Sequence, residues 1–165
     1  MRAVKAILPL LMLSAALGAC APQQGAAAGQ EAPAAASSTH PVSGLRVVPL
    51  TVQAGGRTHT FQVEVADTPA AQARGLMFRT ELGPDEGMVF PYDPPRVMSF
   101  WMRNTVLPLD LIFVGPDHKV INVAANATPY SEDQILSDAP GIAVLELIGG
   151  RAAELGIGPG AVVQW

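Results

Sequence analysis

Cysteine occurs once in these 165 residues, at Cys20. No disulfide can close within the chain, and if Cys20 is modified no thiol remains for catalysis or for a thiolate metal site. Histidine is nearly as scarce: His40, His59 and His118 are too scattered for zinc-ligand spacing. Charged residues make up only 15% of the chain, with 14 acids against 10 bases and a net charge of -4. That balance argues against a nucleic-acid partner, because phosphate binding needs a basic stripe. Aromatic residues are 5% and do not interleave with bases as a stacking platform would. No serine sits in a nucleophile-elbow pattern. Gly156-Ile157-Gly158-Pro159-Gly160 is glycine-rich, but no helical pattern follows it to cradle a phosphate. No internal repeat is present.

Hydrophobic residues are abundant, at 49%, which places the chain among globular proteins. The 16 glycines and 15 prolines favour many turns over long helices. Arg2 and Lys5 precede the apolar run 6–13, and Leu17-Gly18-Ala19-Cys20 follows it. A basic start, a short apolar stretch and small residues describe a secretory leader over 1–19, too short to span a membrane comfortably. Leu-Gly-Ala-Cys resembles a bacterial lipobox, which implies a lipid thioether on Cys20 and cleavage before it; an ordinary leader that happens to end in Cys is the alternative. Ala21, rather than Asp, follows the anchor, which by resemblance to Gram-negative sorting rules suggests the outer membrane, facing the periplasm. Residues 20–43 are rich in Ala, Pro, Gln and Gly and cannot bury enough apolar surface to offset ordering, so they read as a flexible tether.

The folded domain is expected over 44–165. Leu50 and Val52, then Phe61, Val63 and Val65, alternate with polar residues around Gly55-Gly56, the pattern of a β-hairpin. Thr68-Pro69 is a cap followed by Pro in the first turn of a short helix, and Gly75 is its stop. Further strands are expected at 87–90, 97–102, 109–114, 119–124 and 142–148, with a turn at Tyr92-Asp93-Pro94-Pro95 and a long polar loop over 125–141. Residues 151–155 suit a turn or two of helix, and 161–164 a closing strand. The expectation is a mainly β, compact β-barrel-like domain of roughly seven to eight short strands with one or two short helices.

Two acids stand inside apolar strands: Asp110 in Leu-Pro-Leu-Asp-Leu-Ile-Phe-Val and Glu146 in Ile-Ala-Val-Leu-Glu-Leu-Ile. A bare carboxylate there is costly, so each must be paired, neutral or open to a pocket. Three readings stay open: an internal ion-pair network with Arg74, Arg79, Arg96, Arg103 or Arg151; a polar ligand pocket at a barrel mouth; or a catalytic acid pair of the kind sugar hydrolases use. In an extended 97–105, Trp101, Arg103 and Thr105 share one side, and Trp101 and Arg103 are placed to stack on each other or on a ligand. Asn104-Thr105 also suits a turn that bonds local backbone. Met77, Met88, Met98 and Met102 suit core filling better than Cu(I) binding, and Asp85-Glu86 with Glu132-Asp133-Asp138 suits a solvated acidic surface better than a cation site, so neither metal nor cofactor is expected.

Five pieces occur in order: Gly-Leu-Met-Phe-Arg (75–79), Gly-Met-Val-Phe (87–90), Phe-Trp-Met-Arg-Asn-Thr (100–105), Leu-Pro-Leu-Asp-Leu-Ile-Phe-Val (107–114) and Val-Leu-Glu-Leu-Ile-Gly-Gly (144–150). Together they resemble the bacterial and archaeal family known as domain of unknown function 192, over about residues 47–165. The resemblance implies a compact β-barrel-like fold and frequent secretion or lipid anchoring, and it implies no activity. Arg103 stands where the family pattern often has Lys, and Gly160-Ala161 where Gly-Asp is common. The motifs match Arg79, Trp101, Asn104, Thr105, Asp110 and Glu146, which with Arg103 form the expected ligand-binding cluster at one barrel end. The functional expectation is a lipid-anchored envelope module binding a small polar ligand such as a saccharide, accessory rather than catalytic. A structural or assembly protein with a purely internal polar network is the alternative, and a hydrolase using Asp110 and Glu146 the third reading.

Overall fold

The computed structural model describes residues 38–165. The leader, Cys20 and the tether up to residue 37 lie outside the described residues. Strand β1 (Ser38–Thr39) pairs antiparallel with β2, Arg46–Ala54, so residues at the end of the expected tether are joined to the domain. β2 and β3 (Arg57–Val65) form the expected hairpin, in register from Val47 opposite Glu64 to Ala54 opposite Arg57. Gly55 and Gly56 turn it with φ of 57° and 75°, left-handed at both positions, as a two-residue hairpin matched to strand twist requires.

Helix α1 (Pro69–Arg74) starts where the cap residue and Pro place it: Thr68 Oγ1 accepts from the Ala71 N–H at 3.2 Å. Gly75 ends it with φ of 48°. The chain then returns as β4 (Glu86–Arg96), parallel to β3. After β5 (Ser99–Phe100) come β6 (Leu109–Val114), β7 (Val120–Ala127), β8 (Ile135–Leu136), β9 (Gly141–Ile148), helix α2 (Arg151–Leu155) and β10 (Val162–Gln164). The main sheet runs β1-β2-β3-β4-β9-β6-β7, with β10 also on β2, while β5 and β8 pair with each other apart from it. The fold is therefore mainly β with two short helices, as expected, but the sheet is not closed. Its far strand β7 meets β10 through a single bridge, Lys119 to Val162, flanked by the bonds Val120 N–H to Ala161 C=O and Val163 N–H to His118 C=O, both 2.8 Å.

Three local expectations need correction. Tyr92-Asp93-Pro94-Pro95 is not a turn between strands but lies within β4, where the register shifts between Pro91 and Arg96 because the prolines cannot donate to the ladder. Residues 97–105 are not one extended strand: only Ser99–Phe100 pairs, with Ile135–Leu136, and a turn closed by Thr105 N–H to Met102 C=O (3.0 Å) follows. The expected loop 125–141 contains the end of β7 and all of β8.

β6 is buried at every residue, and β9 at all but its second and last. Such strands are covered on both faces and read as continuous apolar runs rather than alternations. One core holds Leu50, Phe61, Val63, Ile112, Leu145 and Leu147. The second, on the opposite face of β4-β9-β6, holds Met88, Phe90, Met98, Met102, Leu111 and Phe113, with Ala71 of α1 and Ile135 of β8 packed against it. Three of the folded domain's four methionines, Met88, Met98 and Met102, fill this second layer. Phe100 knits it by edge-on contacts with Phe90 and Phe113, centroids 5.2 and 6.2 Å apart, each worth about 1 kcal/mol beyond area burial.

Candidate functional site

The register of β6 on β9 decides the relation of the two strand acids. Asp110 lies opposite Leu147, and Leu111 opposite Glu146. Directly opposed residues share a face and successive residues alternate, so Asp110 and Glu146 point to opposite faces of the sheet. The expected shared environment for both acids does not form, and an acid–base pair made of Asp110 and Glu146 has no common space in which to hold a substrate.

Asp110 is fully buried in the first core. It has no cation. Its Oδ1 accepts the N–H groups of Asn126 at 2.8 Å and Gly150 at 3.0 Å, and Oδ2 accepts that of Ala152 at 2.7 Å. Gly150 precedes α2 without a side-chain cap of its own. The acid from β6 thus supplies, from another strand, the acceptors that the first turn of α2 needs. Asp110 is a structural tie between β6, β7 and α2.

Arg79 belongs to a different acid. Its Nη2 lies 2.8 Å from both carboxylate oxygens of Glu64, which is 3% exposed. Ser43 Oγ donates to Glu64 Oε2, and both Arg79 guanidinium nitrogens lie 3.4 Å from ring nitrogens of His40. Glu64 reads in sequence as the solvent side of an alternating strand. The missed signal was Arg79 itself: an arginine closing a dense apolar motif, its side chain only 15% exposed in the fold, calls for an acid.

The segment raised by Trp101, Arg103, Asn104 and Thr105 is a stitched loop. Trp101 is 47% exposed, and the Arg103 guanidinium stacks over its ring at 5.5 Å while pairing with exposed Glu132 at 3.7 Å. Asn104 has φ of 54°, a left-handed conformation that asparagine tolerates better than most residues. Its C=O accepts the Phe78 N–H at 2.9 Å; the Thr105 C=O accepts the Tyr130 N–H at 3.1 Å, and the Thr105 hydroxyl donates to Arg103 C=O at 3.3 Å. Phe78 and Tyr130, with φ of 64° and 61°, are also left-handed, a conformation that costs bulky residues on the order of 1–3 kcal/mol each. Three left-handed positions joined through the backbone of residues 104 and 105 mark this loop as a place where geometry is held against local preference.

Trp101 and Thr105 of this loop also wall the cavity of Glu146. It has a volume of about 190 Å³ and is lined by Gln72, Arg74, Tyr92, Phe100, Trp101, Thr105 and the Glu146 carboxyl, among others. Glu146 is 5% exposed. Burial alone pushes its pKa up to about 8. Among the described residues no side chain donates to its carboxyl and no cation pairs with it, so the proton is the means by which the protein keeps this acid neutral. Tyr92 is shifted up as well, by burial first, with Arg96 opposing and Glu146 adding to the shift. At neutral pH the site offers an acid O–H and its carbonyl oxygen, hydroxyls from Ser99 and Thr105, and an aromatic wall. Gln72 spends an N–H on Pro91 C=O at 3.0 Å and keeps its side-chain oxygen as an acceptor.

Of the expected cluster, the cavity gathers Trp101, Thr105 and Glu146; Arg103 and Asn104 lie between two of these in the chain but do not line it, and Arg79 and Asp110 lie elsewhere. Gln72, Arg74 and Tyr92 were missed as cavity residues, because α1 and the bulged end of β4 come over β9 only in the folded arrangement. A larger hollow of about 410 Å³ lies beyond Arg74, between Val42–Leu45 and α1, but its Arg79 is already engaged by Glu64.

Residues 50–165 match the model of the DUF192 family, described as Uncharacterized ACR. The chain is also similar to two solved structures. A protein of unknown function from Novosphingobium aromaticivorans DSM 12444 is 57% identical, with a TM-score of 0.78, covering 80% of this chain and 94% of that one. A protein described as a proposed transcription regulator from Sinorhizobium meliloti 1021 is 37% identical, with a TM-score of 0.71, covering 73% and 94%. No curated protein matches.

Proposed function

We propose that this chain, which belongs to the DUF192 family, is a lipid-anchored envelope module whose Glu146 cavity binds a small polar ligand, a saccharide fitting best. One observation carries the reading: Glu146 is buried, unpartnered among the described residues and aimed into an open cavity, at the energetic cost of holding its proton to about pH 8. A core acid with only a structural task would have a partner, as Asp110 and Glu64 do. Trp101, half exposed at the rim, supplies the flat apolar face on which a sugar ring packs, and hydroxyls near Glu146 match its polar edge. No second carboxyl accompanies Glu146 among the lining residues, which favours binding over acid–base hydrolysis. The envelope address rests on the leader and on lipid attachment at Cys20. Calorimetry of the mature chain in detergent, against oligosaccharides of envelope type, tests the reading. Binding abolished by Glu146→Gln and weakened by Trp101→Ala supports it; binding unchanged in both removes it.

The structural alternative draws support from Asp110, whose carboxylate is spent wholly on backbone N–H groups. It concerns the opposite face of the sheet and leaves the Glu146 cavity unexplained.

A further inference from the structure

We infer that the Glu146 cavity selects a saccharide bearing a carboxylate, a uronic acid, with Arg74 as the group that reads its charge. This rests on the saccharide-binding reading above and adds the identity of the substituent. Among the described residues, Arg74 is the one cationic side chain lining the cavity. It ends α1, immediately before Gly75, whose left-handed turn (φ 48°) is closed by its N–H to Ala71 C=O at 2.8 Å. A Cβ on Gly75 would touch the Phe90 ring at 3.4 Å, so this glycine lets the helix end settle against the second core with Arg74 at the mouth.

The surrounding arginines have occupations. Arg79 pairs with Glu64 at 2.8 Å, Arg151 with Asp85 at 2.7 Å and Glu154 at 2.8 Å, and Arg103 with Glu132 at 3.7 Å. Arg96 lies over the Tyr92 ring at 4.2 Å. Arg74 makes no ion pair among the described residues; its guanidinium lies over the Phe78 ring at 5.1 Å. Phe78, left-handed and 59% exposed, lines the neighbouring hollow of about 410 Å³, of which Arg74 is also a wall, and it shelves the guanidinium where the two openings adjoin, with its in-plane N–H donors free.

The two ends of the cavity therefore have different chemistry. The floor is an uncharged acid with hydroxyl neighbours, suited to ligand hydroxyls. The mouth is a planar guanidinium, suited to a carboxylate gripped by two parallel hydrogen bonds. A neutral hexose satisfies the floor and leaves Arg74 idle. A cationic sugar is repelled at the mouth and meets a protonated acid below. A sugar acid, with hydroxyls inward and carboxylate outward, satisfies both.

The experiment is calorimetry on the full mature chain in detergent at low salt and pH 7, with glucuronic and galacturonic acids against glucose and galactose. The expected result is that the acids bind roughly threefold to tenfold more tightly than their neutral counterparts, as a bidentate charge-assisted pair with an exposed guanidinium supplies, with the gap narrowing as salt is added. Arg74→Gln should close the gap between acids and neutral sugars, and Arg74→Lys should restore part of it. Arg74 is exposed, so loss of folding is not expected, and a thermal melt on the same samples checks this. Equal binding of acids and neutral sugars, or a gap that survives Arg74→Gln, overturns the role of Arg74 while leaving the cavity as a sugar site. Absence of binding by all four sugars overturns the saccharide reading and this inference together.

Discussion

Replacing Glu146 by Gln should flatten the dependence of stability on pH. In the unfolded chain this carboxyl releases its proton near pH 4.5, whereas in the folded protein burial holds the proton to about pH 8. Between these values the folded state binds one more proton than the unfolded state, so stability falls as pH rises, by about 1.4 kcal/mol per unit. The contribution is intact below pH 4.5 and, over the whole window, roughly 5 kcal/mol is lost by the time the pH passes 8. That is a large share of the stability of a domain this size. Glutamine keeps the shape and one acceptor but does not ionise. Its swap adds a constant offset, while the stability difference, variant minus wild type, should grow steadily from pH 5 to 8 and then level. Urea denaturation of both proteins at pH 5, 6, 7 and 8 measures it, with slopes confirming that each unfolds as one unit. Other titrating groups are common to both proteins and cancel in the difference. Parallel profiles, with a difference changing by less than about 0.3 kcal/mol per unit, would refute the reasoning and mean that water or a partner already solvates the carboxyl.

Asp110→Asn should destabilise the domain by about 2–4 kcal/mol, since the amide turns a donor toward one of three N–H groups; melting should fall by several degrees, and an unchanged melt would show that the tie to α2 is dispensable. Glu64→Ala should cost about 3–5 kcal/mol by leaving Arg79 unpaired under the His40–Ser43 segment, and Glu64→Ala with Arg79→Met should recover much of it; failure of the double variant to recover would deny the pairing. Trp101→Ala should leave the melt within about 1 kcal/mol of wild type while weakening sugar binding, because the ring is half exposed; a large loss of stability would place it in the core instead. Cys20→Ser should move the protein from the membrane fraction to the soluble fraction of fractionated cells, and continued sedimentation with membranes would contradict the lipid anchor.

The hairpin at Gly55-Gly56 and the helix between Thr68 and Gly75 were legible because their signals are local: left-handed glycines, a cap, a proline in the first turn. The oddity of Asp110 and Glu146 was legible for the same reason, as polarity against an apolar background. What they face was not. A one-residue offset between β6 and β9 sends them to opposite sides, and register is set by pairing that no local pattern encodes. Glu64 was misread because its strand alternates as if one side met water, whereas the Ser43 and Arg79 segments cover that side. Trp101 to Thr105 looked extended because burial does alternate up to Met102; the left-handed Asn104 then turns the chain, and Thr105 is buried against the alternation.

A carboxyl inside a protein can be kept by a cation, by backbone donors or by its own proton, and this domain uses all three. Glu64 has Arg79, Asp110 has three N–H groups, and Glu146 has a proton held to about pH 8. The first two arrangements commit both oxygens of the acid to donors of the protein itself, so little remains to engage a ligand. The third does not: a neutral carboxyl facing a cavity retains one donor and its acceptor positions. It is also the arrangement that lowers stability at neutral pH, since the unfolded chain would ionise freely. Replacement by an apolar residue of similar size would remove that cost and fill the space. Keeping an acid there therefore makes physical sense if something enters the cavity and uses what the protein leaves unspent.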